Sequence, residues 1–124
     1  MTQEDKELLL KDLGARLPYG VKVKIEDITG KHKPIEEKEI DYHFNLGYFD
    51  KDMVIIKPYL RPMSSMTEGE LKTFKQLQVE ADEAGTFEGD MLLYDWLNKN
   101  HFDYRLLIFQ GLALEAPEGM YKTE

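Results

Sequence analysis

His101-Phe102-Asp103-Tyr104-Arg105 brings an imidazole, a carboxylate, a phenol and a guanidinium into five consecutive residues. Side chains of these types can transfer a proton or hold an anion, so His101, Asp103, Tyr104 and Arg105, joined by Arg61, are the candidate group for a small hydrolase or ligand-binding enzyme. The same residues follow directly on a segment of helical spacing, where they also have a structural use. His101 can meet the last helix carbonyls, Asp103 can make a turn bond or pair with Arg105, and Phe102 and Tyr104 can anchor the turn to a core. The structural use is the favoured reading, and no residue is assigned as catalytic.

The remaining chemistry-bearing residues are more scattered. Asp41 and His43 are two apart in an alternating segment and would share one strand face, but two ligands do not make a metal site. His32 stands between Lys31 and Lys33, a repulsive setting for a further cation. Ser64 lies in the Arg61-Pro62-Met63-Ser64-Ser65-Met66 connector with no base near it in sequence to activate it. No HExxH pair, P-loop, GxSxG elbow or dinucleotide-binding glycine pattern occurs. With zero Cys among 124 residues, disulfide scaffolds, thiolate zinc sites, iron–sulfur clusters and cysteine nucleophiles are excluded. No metal or cofactor is expected from these patterns.

Charge is more informative. Twenty-four acids against 16 Lys and Arg give a net charge of −8, which opposes general binding to a nucleic-acid backbone. Residues 76–98 hold Glu80, Asp82, Glu83, Glu88, Asp90 and Asp95 and no Lys or Arg, so this stretch carries −6 of the total. Residues 16–38 hold six bases and four acids, a local +2. Such polarity suits a solvated face, or a surface that steers a basic partner; a weak calcium site between Glu80 and Asp90 fits no EF-hand spacing. The expected binding residues are therefore Glu80, Asp82, Glu83, Glu88 and Asp90. The expected role is a non-enzymatic accessory or adaptor protein that binds another, basic protein. A small enzyme using the 101–105 group and an acidic nucleic-acid mimic are the alternatives. No apolar run approaches the roughly 18 residues of a membrane span, and the polar N-terminal residues suggest a cytoplasmic protein.

The connector 61–67, the string Trp96-Leu97-Asn98-Lys99-Asn100-His101-Phe102-Asp103-Tyr104-Arg105 and the stretch 111–121 resemble small uncharacterised proteins of Bacteroides-type bacteria and their phages or mobile elements. The resemblance spans roughly the C-terminal half. In that group a glycine usually follows the arginine, where this chain has Leu106. It implies a bacterial or phage setting and no transferable activity.

The elements that must position these residues follow from periodicity. Leu8, Leu9, Leu10, Leu13 and Leu17 predict a helix over 3–15 capped by Thr2, with Gly14 and Pro18 at its far end. Val21, Val23 and Ile25 alternate with polar residues as a strand. After a polar connector at 29–34, Ile40, Tyr42, Phe44, Leu46 and Tyr48 alternate as a second strand, and Asp50-Lys51-Asp52 can turn into a third at 53–60. Pro58 should end that strand or put it at an edge. Thr67-Glu68-Gly69-Glu70 reads as a capping box, with Met66 and Leu71 able to close a hydrophobic staple, for a helix over 68–84 stopped by Gly85. Its apolar side would carry Leu71, Phe74, Leu77 or Gln78, and Ala81. Asp90 is the expected cap of a last helix to Lys99, with Asn100 in the left-handed position after it. A short helical turn and an irregular tail should follow. The expected fold is a single α+β domain: a three-stranded antiparallel meander, its face made of Val21, Val23, Ile25, Tyr42, Phe44 and Leu46, packed against about three helices with Trp96 largely buried.

Overall fold

In a computed structural model describing residues 2–41, 54–85 and 87–121, Thr2 starts helix α1 (Gln3–Arg16) through a full capping box. Its hydroxyl accepts from the Asp5 amide and the Asp5 carboxylate accepts from the Thr2 amide. A 3-10 turn, Leu17–Tyr19, uses Pro18 where a helix start needs no amide donor, and Gly20 at φ 72° then turns the chain into strand β1, Val21–Asp27. The other strands are β2 (Ile35–Ile40), β3 (Val54–Leu60) and β4 (Leu114–Glu115); the other helices are α2 (Glu68–Ala84) and α3 (Phe87–Lys99). The architecture is α+β, and no helix among the described residues is long and apolar enough to cross a membrane.

The sheet differs from the expected meander. Its order is β2-β1-β3-β4, so β1 is flanked by antiparallel β2 and β3, and β4 adds in parallel to β3. The second strand is Ile35–Ile40, upstream of the alternation at 40–48, most of which lies outside the described residues, as does the turn at Asp50-Lys51-Asp52. Residues Ile35 to Glu39 are all exposed, which suits an edge and leaves no buried period to read. β3 also runs through Pro58 to Leu60 while paired on both sides. Leu60 accepts from the Ala116 amide on the β4 side, and alternation points the Pro58 nitrogen the same way, where β4 pairs no further than Tyr59. The missing donor costs no ladder bond.

Leu9, Leu13 and Leu17 pack with Val21, Val23, Ile40, Ile56, Leu60, Leu107, Leu112 and Ala113 into one core cluster. Of the expected sheet face, Val21 and Val23 are buried and Ile25 is half-buried; Tyr42, Phe44 and Leu46 lie outside the described residues.

α2 has the expected bounds and capping box, and Gly85 ends it in the left-handed conformation. It pairs with α3 as a hairpin beside the main core. Phe74 stacks on Trp96 at 6.4 Å, and Trp96 meets Phe102 at 5.6 Å. Trp96 is half-buried in this smaller aromatic cluster rather than enclosed in the sheet core. Leu71, expected to close over Met66, is 42% exposed, and Gln78 is also at the surface. α3 begins at Phe87, before Asp90, which therefore lies in its first turn. The helices approach closely at Gly89, where a Cβ would lie 2.9 Å from the Ala81 Cα.

Because that neighbour is backbone, Gly89→Val should force the hairpin apart and cost about 1–3 kcal/mol by overpacking. Gly69, in the first turn of α2 with open space around it, should accept alanine with a gain of up to about 1 kcal/mol. Urea denaturation of the two variants checks both signs.

Candidate functional site

Residues 100–108 cross between the C-terminal end of α1 and the end of β3. The left-handed residue after α3 is His101, at φ 64°, rather than Asn100. The His101 amide donates to the Asn98 carbonyl at 3.1 Å and the Phe102 amide to Leu97 at 3.0 Å, the paired bonds of a Schellman ending. Phe102 must reach back to Leu97 while its ring is buried, which shifts the left-handed residue one position beyond Asn100. A second non-glycine in this conformation is Leu106, at φ 59°. Each costs about 1–2 kcal/mol, which the surrounding bonds must offset.

Two ion-paired clusters, one on each side, fix the segment. On one side Arg61, the residue after β3, exchanges backbone bonds with it: Arg61 N–H donates to His101 O, and Asp103 N–H to Arg61 O, each at 2.8 Å. The Arg61 guanidinium forks onto Glu70 at 2.8 and 2.6 Å and lies 4.3 Å from the Phe102 ring centre. Glu70 also accepts from the Thr67 amide, so one carboxylate serves the α2 cap and the ion pair together. The Arg61 hydrogen bond is the main cause holding the Glu70 carboxyl below its usual range.

On the other side Arg16 and Asp12, both fully buried, pair at 2.8 Å through Nε and at 3.1 Å through Nη2. Arg16 Nη2 also donates to the Phe102 carbonyl at 2.7 Å, and Arg105 reaches Asp12 at 3.1 Å. Asp12 and Arg16 recur on the Leu9, Leu13 and Leu17 side of α1; an Asp-Arg pair at i and i+4 on an apolar stripe was the available sequence signal.

The candidate polar atoms thus turn to different partners. Asp103, 4% exposed, accepts from the Leu107 and Ile108 amides at 2.8 and 3.0 Å, capping the turn that Gly111 closes. Tyr104 donates to Asn98 Oδ1 at 2.8 Å, and its ring lies near both Arg16 and Arg105. Arg61 alone of the group borders a polar groove of about 550 Å³ shared with Ser65, Thr67, Glu115, Glu118 and Tyr121, and its guanidinium is already taken by Glu70. Ser64 is exposed in the 3-10 turn Met63–Ser65, His32 is exposed beyond β1, Asp41 is exposed, and His43 lies outside the described residues.

Tyr121 was not singled out by any motif, yet it joins three parts of the structure. Its ring stacks on His101 with centres 3.7 Å apart. Its hydroxyl accepts from the Lys22 amide at 2.9 Å and donates to the Tyr59 carbonyl at 2.8 Å, bridging β1 and β3 just beyond Val23 and Pro58. β4, preceding it, replaces the irregular tail with a short parallel pairing. Burial raises the Tyr121 phenol well above its ordinary value. Burial, then the charges of Arg16, Arg61 and Lys22, push His101 from 6.5 down to about 4, and its Nδ1 is buried with no hydrogen-bond partner.

Glu80, Asp82, Glu83, Glu88 and Asp90 are all exposed on the α2–α3 hairpin. Asp95, near Tyr19, helps burial to raise that phenol.

Asp12→Ala would leave the buried Arg16 charge with only a carbonyl acceptor and should cost about 3–5 kcal/mol in chemical denaturation. For His101 the unfolded chain takes up a proton near 6.5 and the folded chain only near 4, so its contribution is complete above 6.5 and is lost as pH falls toward 4. Stability of the native sequence should therefore decline more steeply across that window than that of His101→Asn, which tolerates the left-handed backbone; parallel urea titrations read the difference. No family model, no curated protein and no solved structure matches this chain.

Proposed function

We propose that the chain is a non-enzymatic accessory or adaptor protein that binds a basic protein through the acidic α2–α3 hairpin. The observation that carries this reading is the exposure of Glu80, Asp82, Glu83, Glu88 and Asp90 along a stretch, 76–98, that contains no Lys or Arg. Charges so distributed on two packed helices reinforce one another, raising the encounter rate with a cationic surface and disfavouring acidic ones. The enzyme alternative finds less support. Asp103, Tyr104, Arg105 and Arg61 spend their polar atoms on the turn, on α1 and on the α2 cap, and do not face a common reacting atom.

Charge reversal at Glu80→Lys, Asp82→Lys and Glu83→Lys together should abolish capture of the partner from a lysate of the native host. The native protein's capture should weaken as salt rises, and the triple variant should keep its helical circular dichroism. Capture unchanged by the reversal would remove the α2 acids from the binding surface.

A further inference from the structure

α3 has two unlike sides. Gly89, Leu93, Trp96 and Leu97 recur at helical spacing on the side that meets α2 and Phe102. On the far side Phe87, Met91 and Tyr94, at i, i+4 and i+7, are 79%, 47% and 46% exposed. Three large apolar side chains in one row form a continuous ridge about 10 Å long, unlike the isolated surface apolar residues of ordinary domains. At 100° per residue Asp90 falls on one border of the ridge, and Glu88 and Asp95 on the other.

We propose that this ridge docks an amphipathic helical segment of the partner protein, with an apolar stripe along the contact and Lys or Arg on both flanks. The inference rests on the adaptor reading and names the partner's chemistry. Charge complementarity selects this occupant. A second copy laid on the same ridge would set Glu88, Asp90 and Asp95 against their own kind in a chain of net charge −8. An anionic lipid surface would meet the same repulsion. A helix with basic flanks pairs with both acid rows while its stripe covers Phe87 and Met91, whose i, i+4 spacing matches that of helical anchor residues. Tyr94 sits at the inner end of the row with its ring 5.2 Å from that of Tyr104, so the ridge is held against the rigid turn behind it.

The test is a fluorescence-anisotropy titration of a labelled peptide of about 18 residues, built of Leu and Lys with Leu at i, i+3, i+4 and i+7. Two controls keep its length: one replaces every Lys by Glu, the other scrambles the Leu positions so that no stripe forms. The stripe peptide should bind saturably and the controls at least about tenfold more weakly, and Phe87→Ser with Met91→Ser should weaken it by about tenfold or more. Both side chains lie outside the core cluster, so the double variant should keep its melting temperature. No binding of the stripe peptide, equal binding of either control, or equal binding by the double variant would overturn the proposal. So would a concentration-dependent dimer that Phe87→Ser dissolves. If the triple reversal on α2 abolishes lysate capture and the ridge variant does not, the adaptor reading stands and the ridge falls; if ridge variants release both peptide and captured partner while the α2 reversal changes neither, the ridge stands and the α2 acids fall.

Discussion

The Asp12–Arg16 pair is the constraint around which the C-terminal half is arranged. Two opposite charges with no solvent exposure sit on the apolar side of α1, and their desolvation is offset by their mutual attraction and by hydrogen bonds at both Asp12 oxygens and at Arg16 Nε and Nη2, while Arg16 Nη1 is left without a partner. Arg16 Nη2 donates further to the Phe102 carbonyl, 86 residues along the chain, and Asp12 accepts a further bond from Arg105. That requirement draws 101–105 across the end of α1 whatever else the turn does. Arg61 and Glu70 answer from the opposite side, so Phe102 is gripped by its carbonyl, its amide and its ring.

A turn held in this way has little chemistry left over. The Asp12, Glu70 and Asp103 oxygens are engaged by backbone amides and guanidinium groups, and the Arg61 fork holds the Glu70 carboxyl in its charged form. His101 shows the same economy from the opposite charge: buried, and ringed by Arg16, Arg61 and Lys22, it remains a neutral plate under Tyr121 at ordinary pH. The exterior of the α2–α3 hairpin has fewer internal obligations, and neither helix contributes a buried residue to the main core cluster.

Local signals were legible in the sequence and distant ones were not. The Thr2 and Thr67 caps and the Gly85 stop depend on residues within one turn, and they occur where spacing places them. β2 buries Ile40 alone, too little to create a period, and the alternation at 40–48 is the stronger local signal. The sheet order depends on pairing between β1 and β3 across a long connection, which no local pattern encodes. His101 in place of Asn100 reflects where Phe102 must lie, a tertiary demand overriding the usual preference of Asn for that backbone. The 101–105 cluster is readable as a turn; the residues that engage it and Arg61, namely Asp12 and Arg16 of α1, Glu70 of α2 and Tyr121, come from three other places in the chain.

The Tyr121 bridge has a bearing on how the protein is made. Its hydroxyl occupies the gap between the Lys22 amide and the Tyr59 carbonyl, and it is 99 residues downstream of the first. The Tyr59 carbonyl, the other half of the seam, lies 62 residues upstream, so at a translation rate of about 5–20 residues per second the ribosome delivers this tyrosine roughly 3–12 seconds after it. Throughout that interval the nascent β1–β3 edge presents an unmet donor and acceptor to its surroundings, and the seam closes only when the turn that carries Tyr121 swings in to lock it.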